Sequence, residues 1–120
     1  MAKASGIGGV FLRSDTPEAL REWYATHLGI DMSVGAWMQQ AGPAVMQPFH
    51  SDNDYFPLNK AVMLNFRVDD LDGLITQLRA AGIAVKTDPE WDSEIGRFAR
   101  FHDPDGNPPE LWDPAGPAAI

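Results

Sequence analysis

The chain has 120 residues, of which 44% are hydrophobic and 22% are charged, so it suits one domain with its own core and wholesale disorder is excluded. It contains no cysteine, which excludes disulfides, thiolate metal sites and cysteine nucleophiles. The net charge is −8 and the Lys and Arg residues are scattered, so no nucleic-acid partner is predicted.

The start of the chain and its hydropathy bear on location. The first six residues carry one lysine and no apolar run, so the sequence predicts no signal peptide. No stretch reaches the roughly eighteen apolar residues that a membrane span needs. We therefore expect a cytoplasmic protein with no membrane partner.

The first predicted elements are a strand-like run over residues 7–14 and a helix that follows it. Thr16 can cap this helix, Pro17 fits its first turn, and Gly29 stands just past its end. The apolar residues between these signals recur at helical spacing and predict one buried stripe. They are Leu20, Trp23, Tyr24 and Leu28.

A second strand and helix follow with the same kind of signals. The strand alternates in polarity and places Asn65 and Arg67 on the face away from the helices. The helix begins near Asp69 or Asp70 and ends at Gly82. Its predicted buried stripe consists of Leu71, Leu74, Ile75 and Leu78.

Shorter strand-like pieces follow each helix, so the order of elements repeats along the chain. The repeat predicts a single domain of two modules, one at about 5–60 and one at about 61–114, with residues 115–120 as a tail. The pieces are residues 32–38, 44–49 and 55–58 after the first helix, and 83–87, 95–102 and 110–113 after the second.

Three motifs carry a resemblance to a known superfamily. Residues 101–112 read FHDPDGNPPELW, a tight Asp-Pro-x-Gly-Asn turn that leads into a strand with a glutamate. Residues 66–71 read FRVDDL, a junction between a strand and a helix, and residues 23–29 end the first helix. Together these motifs resemble the vicinal oxygen chelate superfamily, which includes glyoxalases, bleomycin-resistance proteins and dioxygenases.

The resemblance implies an α+β fold in which two βαβββ modules form a curved, half-open mixed sheet, the glyoxalase-like fold. Proteins of this superfamily hold a divalent metal inside the curve, at positions that correspond here to Gly8, Met63 and Glu110. Glycine offers no side chain and a thioether is a poor ligand for hard divalent ions, so only Glu110 suits a metal. We therefore expect no metal cofactor, with a divalent metal as the alternative.

Glu110 is the candidate catalytic residue. Alternation along its strand points the carboxylate into the curve of the sheet, beside Asn65 and near Arg67. Burial without a cation would favour the protonated acid, and such a group can act as a general acid or base. Alternatively, Arg67 or Arg100 pairs with the carboxylate and no chemistry occurs.

Aromatic and polar side chains are expected to line the same cavity. Aromatic groups there offer a flat apolar ligand a large contact area, although they can also simply fill the core. The candidate ligand-binding residues are Trp37, Phe49, Phe56, Asn65, Arg67, Arg100, His102 and Trp112.

Two main functions stay open at the level of sequence. One is a glyoxalase-like or bleomycin-resistance-like protein that binds a small, partly apolar molecule without a metal. The other is a metal-dependent lyase or dioxygenase of the same superfamily that uses Glu110 as a ligand, and an interaction protein is a third possibility. Whether the chain is an enzyme is left open. Because a half-open sheet exposes an edge, we also expect a homodimer.

Overall fold

The computed structural model describes residues 1–116 of the chain. Most of the predicted tail, residues 115–120, lies outside that part. None of the helices among the described residues is long and apolar enough to cross a membrane. Within residues 1–116 the elements are helices α1 (Pro17–Leu28) and α2 (Leu71–Ala80), a 3₁₀-helix (Pro89–Trp91), and strands β1 (Asn65–Arg67), β2 (Gly96–Arg100) and β3 (Glu110–Pro114).

Helix α1 begins and ends where the sequence predicts. Pro17 takes the first helical position, where its missing N–H breaks no intrahelical hydrogen bond. Gly29 follows the last turn with a φ of 68°, a left-handed conformation that glycine adopts readily, and its N–H donates to the Ala25 carbonyl. The Thr16 hydroxyl makes no capping bond, and the Thr16 N–H donates instead to Ser14 Oγ at 3.0 Å.

Helix α2 is capped by one of the two aspartates that the sequence offers. Asp70 Oδ1 accepts a hydrogen bond from the Gly73 N–H at 3.0 Å, so one of the donors at the start of the helix is satisfied. Gly82 follows the helix with a φ of 84°, and its N–H donates to the Arg79 carbonyl at 3.0 Å. Both predicted ends of the second helix are therefore confirmed.

The sheet has three strands in the order β1–β3–β2 among the described residues. The central strand β3 runs parallel to β1, with Asn65 opposite Glu110, and antiparallel to β2, with Arg100 opposite Glu110. In the order of the sequence, helix α2 comes between β1 and the other two strands. The sheet is thus mixed, as expected, and its register brings three polar residues into one row.

The turn between β2 and β3 is organised by a buried carboxylate. Asp103, which is 4% exposed, accepts hydrogen bonds from the backbone N–H groups of Asp105 and Asn107, both at 2.9 Å. Its other oxygen accepts from the Tyr24 hydroxyl and from the Asn107 side-chain amide, both at 2.7 Å. The predicted hairpin turn is confirmed, and the same aspartate ties it to α1.

The first half of the chain differs from the prediction. Residues 5–60 contain α1, but residues 1–64 of this structure contain no strand. The backbone hydrogen bonds of residues 1–63 are local turns and helical bonds, and Pro43, Pro48 and Pro57 lack the N–H that a ladder needs. Leu64, next to β1, differs, since its carbonyl accepts from the Glu110 N–H at 2.9 Å. The two-module arrangement therefore remains a prediction, and the described strands belong to residues 61–114.

The second half also has less strand than predicted. Residues 83–87 contribute a single bridge, in which Lys86 and Arg100 exchange backbone hydrogen bonds of 2.8 and 2.9 Å. One exchange of this kind does not extend a ladder. Residues 95–102 and 110–113 become β2 and β3 with small shifts at their ends.

The core lies between α2 and the sheet. Its buried members come from α2, β2, β3 and the segments beside them, and the Tyr24 ring adds contact with Phe66 at 6.0 Å between ring centroids. Burial of apolar side chains such as these provides the main favourable free energy of folding. The cluster consists of Leu71, Ile75, Leu78, Val85, Ala99, Phe101 and Leu111.

Candidate ligand-binding site

The sheet face opposite the helices, which we call the cup face, carries two rows of side chains. Alternation directs Leu111 into the core, so Glu110 and Trp112 point the other way. Strand register places Asn65 and Arg100 on either side of Glu110. The next row contains Arg67, Trp112 and Phe98.

Glu110 is held by three donors from the chain itself. Its Oε1 accepts from Asn65 Nδ2 at 2.8 Å, and its Oε2 accepts from the Tyr55 hydroxyl at 2.5 Å and from Arg100 Nε at 3.3 Å. The residue is only 3% exposed. A carboxylate at this depth needs a paired cation and hydrogen bonds, and Glu110 has both.

Arg100 is enclosed by aromatic rings as well as by the carboxylate. Its guanidinium carbon lies 3.9 Å from the centroid of the Tyr55 ring and 4.0 Å from that of the Trp91 ring. Its Nη1 also donates to the Tyr55 carbonyl at 3.1 Å. The flat guanidinium suits this position, since it can stack on rings while its edge donates hydrogen bonds.

Tyr55 keeps its proton and so remains a donor. Burial raises the pKa of Tyr55 above its ordinary value of 10.0, and the hydrogen bond to Glu110 raises it further, while Arg100 opposes the shift. The Tyr55 ring packs edge-on against Phe49, with centroids 5.6 Å apart, and Phe49 lies 6.0 Å from Phe56. We call Phe49, Tyr55 and Phe56 the aromatic cluster.

Several predicted site residues lie away from Glu110. Trp37 packs against Phe66, with ring centroids 6.3 Å apart, and Phe66 faces the helices rather than the cup. Arg67 donates to the Gln40 carbonyl at 3.0 Å and makes no ion pair within residues 1–116. His102 is exposed at the start of the hairpin turn.

Trp112 lies on the cup face, but its side chain is occupied by contacts with β2 and with the residue before that strand. Its ring stacks on Phe98, with an interplanar angle of 4° and centroids 6.3 Å apart. Its indole N–H donates to the Ile95 carbonyl at 3.0 Å. Because it is only 6% exposed, it offers little surface to a ligand in a single chain.

The structure therefore brings three of the predicted residues, Asn65, Arg100 and Glu110, into direct contact and joins Phe49 and Phe56 to them through Tyr55. It also adds Trp91. Tyr55 lies at the start of the strand-like piece predicted at residues 55–58, but no pattern in the sequence indicates its bond to Glu110. Trp91 was missed, although a signal for its position exists. Asp88 is followed by Pro89, a typical start of a short helix, and the 3₁₀-helix that begins there carries Trp91.

Two cavities in the structure lie elsewhere. The larger, about 350 Å³, is an open groove on the outer side of α1, between Glu18 and Met32. The smaller, about 40 Å³, lies beside Trp37 and Leu74. Neither is lined by Glu110, whose Oε2 accepts from the Tyr55 hydroxyl.

The residues at the metal-binding positions of the superfamily do not fit a metal. Gly8 has no side chain, and the thioether of Met63 is a poor ligand for the hard divalent ions that carboxylates hold. Both Glu110 oxygens already accept hydrogen bonds from the chain. Within residues 1–116 no group of three or more His, Asp or Glu side chains is placed to hold an ion.

Residues 9–112 match the family model for the glyoxalase-like domain, which is most of the chain. The chain belongs to this family. The glyoxalase-like domain is one form of the vicinal oxygen chelate superfamily, so the resemblance carried by the closing hairpin is confirmed. A search of the curated proteins finds no match.

Three solved structures are similar to the chain. One is TnmS3, an antibiotic binding protein from Streptomyces sp. CB03234, which is 25% identical, with a TM-score of 0.62 over 96% of this chain and 100% of that one. A glyoxalase/bleomycin resistance protein from the same organism is 29% identical, with a TM-score of 0.49 over 83% of this chain and 92% of that one. A glyoxalase/dioxygenase from Nostoc punctiforme is 17% identical, with a TM-score of 0.52 over 92% and 100%.

Proposed function

We propose that this glyoxalase-like protein binds a small, partly apolar molecule at the cup face and does so without a divalent metal. The observation that carries the proposal is the aromatic cluster, which Arg100 and Glu110 hold against the sheet. A ligand would contact the cluster from its solvent side, where Phe49 is 43% exposed.

The chemistry of the cluster suits a flat apolar ligand. Phenylalanine rings have few rotamers to freeze, so they offer contact area at a small cost in entropy. Phe56 is half-buried beside Phe49, and the guanidinium of Arg100 lies against the Tyr55 ring of the same cluster. The similarity to TnmS3, an antibiotic binding protein, over nearly the whole of both chains supports binding as the function.

The experiment for ligand binding uses the indoles near the cluster as reporters. Planar aromatic compounds are screened for a change in tryptophan emission, and Phe56→Ala is expected to weaken the affinity of any hit roughly tenfold. Phe11→Ala is the matched control, because this side chain is 94% exposed and lies outside the cluster. A screen in which no compound changes the emission would contradict binding at this face.

The proposed absence of a metal has its own test. The donor set argues for it, since Glu110 is committed to Asn65, Tyr55 and Arg100. Elemental analysis of protein purified without chelators is expected to find no stoichiometric divalent ion. One tightly held ion per chain that is lost on Glu110→Ala would instead favour the metal-dependent lyase or dioxygenase.

We also propose that the protein is a homodimer. All of the exposed large hydrophobic side chains among residues 1–116, except Ile95, lie at or before Val62. Phe11 is 94% exposed and Met46 is 88% exposed, and a second copy could cover such side chains. Light scattering on the wild type is expected to give the mass of two chains, and Met46→Asp is expected to shift it toward one.

A further inference from the structure

We infer that Glu110, Arg100 and Tyr55 form a latch that fixes the segment from Phe49 to Phe56 against the sheet. In this role the carboxylate at the superfamily's metal position holds a loop, and Arg100 is a positioning residue for the aromatic cluster. The consequence for ligand affinity rests on the proposed function, whereas the latch itself can be tested without any ligand.

Glu110 is the fixed end of the latch. It belongs to the central strand, it is only 3% exposed, and its oxygens accept from Asn65, Tyr55 and Arg100. Hydrogen bonds to an ionised group are stronger than neutral ones and are strongest where water is excluded. The carboxylate can therefore anchor a distant part of the chain.

Tyr55 is the movable end, and it is held at three points. Its hydroxyl donates to Glu110, its ring covers the Arg100 guanidinium, and its carbonyl accepts from Arg100 Nη1. The Trp91 ring also lies against this guanidinium, with its centroid 4.0 Å from the guanidinium carbon. Arg100 thus meets Tyr55 through both its flat face and its edge, a combination that the point charge of a lysine does not reproduce.

The segment has little else to hold it. Within residues 1–116 its backbone-to-backbone hydrogen bonds are local, such as that from the Asn53 N–H to the His50 carbonyl, and none joins the backbone of a strand. Residues 50–54 are all exposed. The rings of Phe49 and Phe56 pack on each other, so their position depends on where Tyr55 is held.

Limited proteolysis with chymotrypsin tests the latch, since this protease cleaves after Phe49 and Tyr55, whereas Pro57 blocks cleavage after Phe56. When opening and closing are fast, the cleavage rate follows the open population. Arg100→Met is expected to raise cleavage in this segment roughly tenfold, as mass spectrometry of the fragments measures. Arg97→Met is the matched control, because Arg97 lies on the same strand and its exposed pair with Asp72 holds no loop.

Two further variants test whether the segment is held by the contacts of Arg100 and Tyr55 or only by a positive charge near Glu110. Arg100→Lys keeps a cation near Glu110 but cannot fill the space between two rings, so cleavage is expected to stay high. Tyr55→Phe removes one hydroxyl and leaves the ion pair of Arg100 and Glu110 intact, so the fold survives and cleavage rises a few fold. Full protection in Arg100→Lys, or unchanged cleavage in Tyr55→Phe and Arg100→Met, would overturn the latch.

Titration with the fluorescent aromatic anion anilinonaphthalene sulfonate links the latch to binding. Arg100→Met and Arg100→Lys are expected to lose affinity together, in step with their cleavage rates, while Arg97→Met keeps the wild-type value. If neither this probe nor any compound of the screen binds the wild type but cleavage rises as expected, the proposed function fails and the latch stands. If Arg100→Lys is cleaved rapidly but keeps the wild-type affinity, the positioning role is wrong.

Discussion

Two regions of this protein, residues 65–114 and residues 1–62, differ in how many of their apolar side chains they bury. The later region has all three described strands and most of the buried apolar side chains, with Leu71, Leu78 and Leu111 at 1% exposure or less. The earlier region buries Leu20 and Tyr24 from α1 and leaves most of its other large apolar side chains exposed.

The difference shows which part supports the fold and which part is available for contacts. The later region has a core that resembles that of any small domain, whereas the earlier region is attached to it at a few points. These points include α1, through Tyr24 and Trp23, the contact of Trp37 with Phe66, and the loops that Arg67 and Arg100 hold. An exposed apolar surface carried on a stable core is suited to meeting a ligand or a second copy.

The largest expected effect comes from removing a core side chain of the later region. Leu111→Ala leaves a cavity in the central strand, where the residue is 0% exposed, and should cost about 2–5 kcal/mol of unfolding free energy in urea. Phe11→Ala, in the earlier region, should cost less than about 0.5 kcal/mol at concentrations where single chains prevail. Equal losses would erase the distinction between the regions.

The next effect concerns the bond that joins the two regions. Asp103→Ala removes the acceptor of the Tyr24 hydroxyl and of three donors in the hairpin turn, so unfolding free energy should fall by about 2–3 kcal/mol. Asp105→Ala, in the same turn but exposed, is the control and should change stability by less than about 0.5 kcal/mol. A small effect of Asp103→Ala would mean that α1 is held by packing alone.

The same bond predicts a loss of stability in alkali. Burial, and then the hydrogen bond to Asp103, raise the pKa of Tyr24 above its ordinary value of 10.0. The unfolded chain therefore loses this proton first, and the free energy of unfolding should fall above about pH 10 by at most about 1.4 kcal/mol per pH unit. Tyr24→Phe should flatten that slope in urea titrations at several pH values, and an unchanged slope would contradict the assignment.

The smallest effect compares one glycine from each region. Gly82 follows α2 with a φ of 84°, so Gly82→Ala should cost about 1 kcal/mol, although a Cβ there meets no atom within 4 Å. Gly8 also has open space but no positive φ, and Gly8→Ala should change the unfolding free energy by less than about 0.5 kcal/mol. Thermal unfolding measures both, and a larger loss at Gly8 would show that the earlier region is more constrained than it looks.

The elements that the sequence predicted well are those with local signals. Pro17 and Gly29 mark the ends of α1, Asp70 and Gly82 mark those of α2, and all four act on neighbours within a few residues. The turn around Asp103 is equally local. Such signals can be interpreted without knowing what lies on the other side of the molecule.

The strands predicted for the earlier region could not be assessed from local signals. A run of apolar residues is consistent with a strand, but whether it becomes one depends on a partner that the run itself does not specify. Residues 44–49 have the apolar composition of a strand, but within residues 1–116 of a single chain no strand pairs with them. A second copy of the chain could contact the same run of exposed apolar residues.

The candidate site was predictable in its strand residues and not in its loop. Alternation and the resemblance of the closing hairpin placed Glu110 beside Asn65, and Arg100 lay within the alternatives for its partner. Tyr55 is separated from Glu110 by 55 positions, and Trp91 meets Arg100 only through tertiary packing. No local pattern encodes contacts of that kind.

The order of the strands has a consequence for how the chain is made. The middle strand of the sheet, β3, is the last of the three to leave the ribosome, and β1 and β2 do not pair with each other. Closing the parallel pair joins Asn65 to Glu110, 45 positions apart, and such long closures are slow. A nascent chain that stalls before Glu110 therefore cannot form this sheet, and it offers the unpaired segments of β1 and β2 to chaperones or to other chains.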